Sequence, residues 1–219
     1  PNKILKIPHC DAVNIHPSLL PLWRGASPIQ AAILNGDKKT GICLTRMVSK
    51  LDAGPIFVSH EIEIAPHETA GLLSKRLSKL SAKLVENNID DILSKKISPK
   101  EQTHENAVYT PKIKKKDALI NWSLPAFKLH RQIKAFNPWP VSYSYFNGKN
   151  FRIWDAELSN NNNLRHPPGT IVEIRDKDIL VSTGEKMLAM TRVQLEGKKQ
   201  TTAVEFARGY DCLGKTLGC

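Results

Sequence analysis

The chain changes its hydrophobic rhythm partway along, and no single sheet or bundle accommodates both halves. Up to about residue 95, apolar residues mark strands and helices in turn; beyond Pro140 they mark short strands only, set apart by turn residues. Strand–helix alternation builds an α/β sheet, whereas closely spaced short strands build a sandwich or a barrel. Two structural units are therefore expected. In the first, residues 12–16 read as a strand, and Ser27-Pro28 as an N-cap followed by the first helical position. Asn35-Gly36 supplies the helix stop. Residues 40–48 and 56–64 read as strands on either side of the Gly54-Pro55 turn. Residues 68–93 carry Leu73, Leu77, Leu80 and Leu84 at three- and four-residue steps, one apolar stripe on a long helix.

Residues 94–117 break the pattern. They hold Pro99, Pro111 and many lysines without a period, and read as a basic linker. Residues 123–136 read as a short helix capped by Ser123, with Ala126, Leu129 and Ile133 inward. Strands at 141–146, 151–157, 170–174, 179–182 and 187–195 suggest a small barrel of the oligonucleotide-binding kind. Residues 201–208 close the chain as a helical turn or two, and the asparagine run 160–163 reads as a solvated loop. The expected organisation is thus 1–95, a linker at 96–117, and a barrel at 118–219.

With 219 residues and 41% apolar content, the chain has material for real cores, and a disordered, collagen-like or coiled-coil chain is excluded. No run of eighteen apolar residues is present, and the opening residues do not read as a secretory signal. The net charge is +11, from 32 Lys+Arg against 21 Asp+Glu. Residues 1–95 contribute +3 (12 against 9) and residues 96–219 contribute +8 (20 against 12), so the excess lies in the second half. Such a surplus points to a polyanionic partner, or to a generally basic surface. Cys10, Cys43, Cys212 and Cys219 show no CxxC spacing, and the histidines complete no metal pattern. Free thiols fit a reducing compartment, a bacterial cytoplasm or an organelle matrix.

Two short segments carry chemistry. In Asn14-Ile15-His16-Pro17-Ser18-Leu19-Leu20-Pro21, Asn14 and His16 stand two apart on extended backbone and face the same way. An amide beside an imidazole can polarise one carbonyl oxygen, and the imidazole can move a proton near neutral pH. Taken alone, the pair also suits backbone capping. In Leu51-Asp52-Ala53-Gly54-Pro55, Asp52 ends a strand-rich segment, where sites of α/β sheets gather. It suits orienting His16, or an Asx-turn.

The two segments together, with Arg24-Gly25, Pro28-Ile29-Gln30, Gly36-Asp37 and Thr40-Gly41, closely resemble the folate-dependent formyltransferases. Trp23-Arg24-Gly25-Ala26-Ser27-Pro28-Ile29-Gln30 and Tyr109-Thr110-Pro111-Lys112-Ile113 are similar to the methionyl-tRNA formyltransferase branch. So are Ile120-Asn121-Trp122 and the run from Arg131-Gln132 through Pro138-Trp139-Pro140. The resemblance implies a Rossmann-like α/β catalytic domain followed by a tRNA-binding barrel. The implied reaction moves a formyl group from 10-formyltetrahydrofolate to the amine of methionyl-tRNA, for translation initiation, without a metal. It implies catalysis by Asn14, His16 and Asp52, and folate contact by Ser18, Leu19, Leu20 and Pro21, of which the leucines also suit plain core packing. Arg24 is placed at the tRNA acceptor end or in a structural salt bridge. Lys112, Lys114, Lys115, Lys116, Arg131 and Lys134 line the tRNA's path. Trp139, Tyr143 and Tyr145 serve core packing or base stacking. Family chains begin with a further strand–helix segment of roughly 90 residues, about half a typical domain, so the first domain is expected to be truncated and the span a fragment, with its parallel strands left at an exposed edge. The expected molecule is a monomer that touches no membrane. An amino-sugar formyltransferase shares much of the pattern, and an inactive RNA-binding fragment is the reading from outside enzymology.

Overall fold

The computed structural model describes residues 2–5, 7–8, 10–160 and 166–218. Most of the asparagine run, residues 161–163, lies outside them. The chain divides into two compact units, Pro1–Ile113 and Lys114–Cys219.

The first unit opens with α1 (Asn2–Leu5) and is built on β1 (Val13–His16), β3 (Lys39–Arg46) and β4 (Ile56–Glu63), with β3 in the middle. The parallel arrangement expected of these strands does not hold. β1 meets β3 antiparallel, with His16 opposite Cys43, and β3 meets β4 antiparallel as a hairpin closed by residues 47–55. A connection that short joins antiparallel neighbours only. As the central strand, β3 buries every residue from Thr40 to Thr45. The helix α2 (Pro28–Asn35) starts on Pro28 and stops at Gly36, whose φ of 80° lets its N–H reach the carbonyls of Ala32 and Ile33. Ser27 makes no side-chain cap there. The helix α3 (Ala70–Leu93) is capped by Thr69, whose hydroxyl accepts from the Leu72 N–H, and it buries Leu73, Leu77 and Leu84 on one stripe.

Residues 96–113, read from sequence as part of a linker, are woven into this unit. Lys100 exchanges backbone hydrogen bonds with Ile56 at 2.7 and 2.8 Å. After a 3-10 turn at His104–Asn106, β5 (Tyr109–Thr110) runs parallel to β2 (Arg24–Gly25). Gly25 is needed at that seam: with φ at 109°, a Cβ there would sit 2.4 Å from the Thr110 carbonyl oxygen.

The second unit opens with a 3-10 turn at Lys115–Ala118 and α4 (Ala126–Ala135). The latter begins at Pro125 rather than on a Ser123 cap. Then come β6 (Tyr143–Phe146), β7 (Lys149–Ser159), β8 (Ile171–Ile174), β9 (Ile179–Ser182), β10 (Met187–Leu195) and β11 (Thr201–Thr202). All five expected strands are present. They pair antiparallel in the order β6-β7-β10-β9-β8, with β11 on β10. No ladder among the described residues joins β6 to β8, so the small barrel expected is present as an open, half-barrel sheet. Alternate residues of β7 and β10 meet α4 and α5 (Ala203–Gly209) around Phe146, Phe151 and Phe206, whose rings lie 4.7 to 6.1 Å apart. A capping box between Thr202 and Glu205 opens α5. Among the described residues no helix is long and apolar enough to cross a membrane.

Candidate active site

Strand alternation on β1 sends Asn14 and His16 to one face. The His16 ring is buried, and both of its nitrogens face oxygen. Nε2 lies 3.1 Å from the Trp23 carbonyl, which can only accept, so Nε2 carries a proton. Nδ1 faces Asp52 Oδ2 at 3.7 Å, an ion-pair distance longer than a hydrogen bond. The same Oδ2 accepts from the Gly25 N–H at 2.8 Å. Asp52 holds φ at 47°, a left-handed conformation that aspartate tolerates better than most residues. Asn14 and Asp52 line one cleft of about 190 Å³, with Gly54 and the side chains of Met47, Val48 and Leu51 around it. Asn14 and Asp52 thus line the same cleft, while His16, which is not among its lining residues, faces the Asp52 carboxylate from within the protein. Opposite His16 on β3, burial pushes the Cys43 thiol up, against a hydrogen bond with the Leu20 backbone that lowers it.

The turn that carries Asp52 is held from outside the β3–β4 hairpin. The Gln102 amide nitrogen donates to the Asp52 carbonyl at 3.0 Å and to the Gly54 carbonyl at 2.6 Å. Gln102 Oε1 accepts from Arg24 Nε at 3.2 Å and Nη2 at 2.6 Å. Arg24 Nη2 also donates to His104 Nδ1 at 2.9 Å, and Nη1 to the Tyr109 hydroxyl at 3.1 Å. The expectations for Arg24 are corrected here. Its side chain is 0% exposed, so no phosphate reaches it, and among the described residues no carboxylate pairs with it.

The loop 18–21 faces inward more than a ligand contact requires. Ser18 is fully buried and donates to the Leu22 carbonyl at 2.6 Å, and Leu20 belongs to the core. Leu19 and Pro21 stay partly exposed, and none of the four lines the Asn14–Asp52 cleft. Lys112, in the first unit, is exposed, as are Lys114, Lys115 and Lys116 in the second. On α4, the Arg131 guanidinium lies 5.3 Å from the Phe127 ring centre, and partial burial, then the Arg131 charge, push the Lys134 amine below its usual value. Trp139 is half exposed rather than packed in the core. No group of three or more His, Cys, Asp or Glu suited to a metal occurs among the described residues. Sequence reading missed the Gly25 N–H and Gln102. Gly25 stood inside a motif, but Gln102 lies in a stretch with no period to flag it.

Residues 1–89 match the family described as "Formyl transferase", and residues 112–211 match "Formyl transferase, C-terminal domain". Over all 219 residues the chain is 38% identical to the methionyl-tRNA formyltransferase of Acidithiobacillus ferrooxidans, and spans 70% of that protein. Its fold is similar to that of WlaRD, a sugar 3N-formyl transferase solved with dTDP and 5-N-formyl-THF (TM-score 0.64, 25% identity, 85% of this chain and 66% of that one). It is also similar to HypX from Aquifex aeolicus in complex with tetrahydrofolic acid (TM-score 0.67, 17% identity, 90% of this chain and 34% of that one).

Proposed function

From the premise that the chain belongs to the methionyl-tRNA formyltransferase family, we propose that it transfers a formyl group from 10-formyltetrahydrofolate to the amine of methionyl-tRNA. The observation that supports this reading most directly is the meeting of His16 Nδ1 and Asp52 Oδ2 at 3.7 Å beside a cleft that Asn14 shares. The cleft fits part of such a donor. It is smaller than the roughly 300–1,000 Å³ of a whole small-molecule site. Its apolar wall suits a flat ring, and its polar wall suits an acyl group. When bound, the donor supplies the formyl carbon that the amine takes, and its own nitrogen leaves with a proton.

The side chains divide that work. Asn14 donates from its amide to the formyl oxygen as negative charge builds there. Asp52 accepts the proton that the attacking amine must shed, and the Gly25 N–H keeps the carboxylate aimed. His16 exchanges a proton with Asp52, the separation closing to hydrogen-bond length in the loaded site, and the pair returns the proton shed by the amine to the leaving nitrogen, so that none is gained or lost. Leu19 and Pro21 are the members of the 18–21 loop able to touch the donor. In the second unit, Lys114, Lys115, Lys116, Arg131 and Lys134 neutralise tRNA phosphates, and in the first unit Lys112 does so; such contacts position the RNA rather than read it. The open sheet of the second unit is then an RNA-facing platform of the oligonucleotide-binding kind.

Formylation of charged initiator tRNA by the full chain, set beside formylation of a dTDP-linked amino sugar, tests the reading. Formyl-methionyl-tRNA as the product is expected. A formylated sugar with untouched tRNA would assign the chain to the sugar branch, and tRNA binding without either product would make it an RNA-binding protein only.

A further inference from the structure

We infer that Gln102 is a positioning residue for Asp52, aimed by the buried Arg24. This inference rests on the catalytic reading of Asp52 above. Arginine has donors and no acceptor, so the oxygen of the Gln102 amide must face Arg24 and its nitrogen must face the Asp52 turn. The orientation is therefore fixed by chemistry. That nitrogen ties the carbonyls of Asp52 and Gly54 together, at 3.0 and 2.6 Å. It clamps the turn directly after Asp52, whose φ of 47° is the left-handed point of that turn. The carboxylate of that residue must stay between the Gly25 N–H and His16 Nδ1.

Arg24 and Gly25 are consecutive on β2. One strand thus holds Asp52 twice, through its side chain by the Gly25 N–H and through its backbone by Arg24 and Gln102. Arg24 is itself fixed by His104 and by Tyr109 on β5, the strand paired with β2. A guanidinium that is 0% exposed and has only neutral partners is costly to keep. Its retention is accounted for if its task is to orient an amide that must not turn over. A lysine there would offer a point charge without the fork that grips one oxygen from two nitrogens.

Gln102→Glu separates this role from general stability. The substitution keeps the side-chain volume and gives Arg24 a charged partner, so the fold is retained. It also points an acceptor at two carbonyls and releases the turn. Misplacing a reacting group by about 1 Å costs on the order of 10²-fold in rate. In the full chain, Gln102→Glu should lower kcat for tRNA formylation by about that factor with KM for tRNA unchanged. Gln102→Met, which has neither donor nor acceptor, should do the same. In an Asp52→Asn background, Gln102→Glu should cost nothing further, because the group it positions is already disabled. Wild-type kcat in both Gln102 variants overturns the inference and leaves the catalytic reading standing. A further large loss in the Asp52→Asn background, or a loss in Gln102→Glu that tracks its melting temperature, also overturns it. If Asp52→Asn alone keeps full turnover, the catalytic reading of Asp52 falls and takes the inference with it.

Discussion

Substituting alanine at Gly54 tests whether the placement of the Asp52 turn limits the reaction. A Cβ at residue 54 would lie 1.7 Å from the Arg46 carbonyl oxygen. Real contacts of this kind do not fall under 3.0 Å, so the gap must open by about 1.3 Å. Arg46 ends β3, paired with Val13 on β1, and its N–H bonds to the Pro55 carbonyl at 2.9 Å. The sheet side is therefore the stiff side, and the turn has to move. Its carbonyls then pull away from Gln102, and Asp52, two residues earlier, shifts relative to His16. A displacement of that size is worth on the order of 10²-fold in rate, and forcing a methyl into packed space costs roughly 1–3 kcal/mol of stability. Initial rates of formyl-methionyl-tRNA synthesis, measured beside a urea melt, give both numbers. A Gly54→Ala enzyme with wild-type kcat would refute the reasoning, since the turn would then have moved without consequence. A melt shifted far enough to leave the protein unfolded at assay temperature would be visible in the same experiment.

Other outcomes follow from the same geometry. Asn14→Ala, His16→Ala and Asp52→Ala should each lose at least about 10²–10³ in kcat, the usual scale for a lost transition-state partner; near-normal turnover removes that residue from the mechanism. Affinity for tRNA should fall steeply with salt, and Lys115→Ala should weaken binding evenly across tRNA sequences while reducing the salt slope by about 1; a flat dependence would contradict phosphate contact. Burial holds the Cys43 and Cys212 thiols above their ordinary value of 9.0. The unfolded chain therefore releases these protons first, and folding stability should be full below pH 9.0 and decline as pH rises past it. Urea midpoints on either side of that pH should show the decline, reduced in Cys43→Ala.

The parts of the fold legible in sequence are those with a period or a punctuation mark. The α3 stripe of Leu73, Leu77 and Leu84 and the α2 stop at Gly36 stand where periodicity and the glycine put them, and β9 and β10 match their expected bounds residue for residue. The direction of β4 beside β3 is legible in their short connection, whereas that of β1 is not, because β3 is buried from Thr40 to Thr45 and reads the same whichever way its other neighbour runs. The stretch 96–113 read as a linker because what ties it down is backbone pairing at single positions, Lys100 with Ile56 and Tyr109 with Arg24, which leaves no repeating mark. Pattern singles out Asn14, His16 and Asp52; the structure sets His16 Nδ1 3.7 Å from Asp52 Oδ2 and puts Asn14 and Asp52 on one cleft. Resemblance places Arg24 at the tRNA acceptor end or in a structural salt bridge; it is a buried structural residue held by neutral partners, and nothing local announces that Gln102, some eighty positions on, takes the guanidinium indoors.

The weaving of residues 96–113 into the first unit bears on how the two halves can be taken apart. A cut at residue 95, where the helical pattern ends, would strip Gln102, His104 and Tyr109 from Arg24. The excised first half would be left with a naked cation in its interior and a slack turn at Asp52. Severing the chain between Ile113 and Lys114 keeps every one of those partners on the same piece. A dissection meant to assign activity to one half should therefore be made there, since the shorter version would be inert for reasons unrelated to the loss of its neighbour.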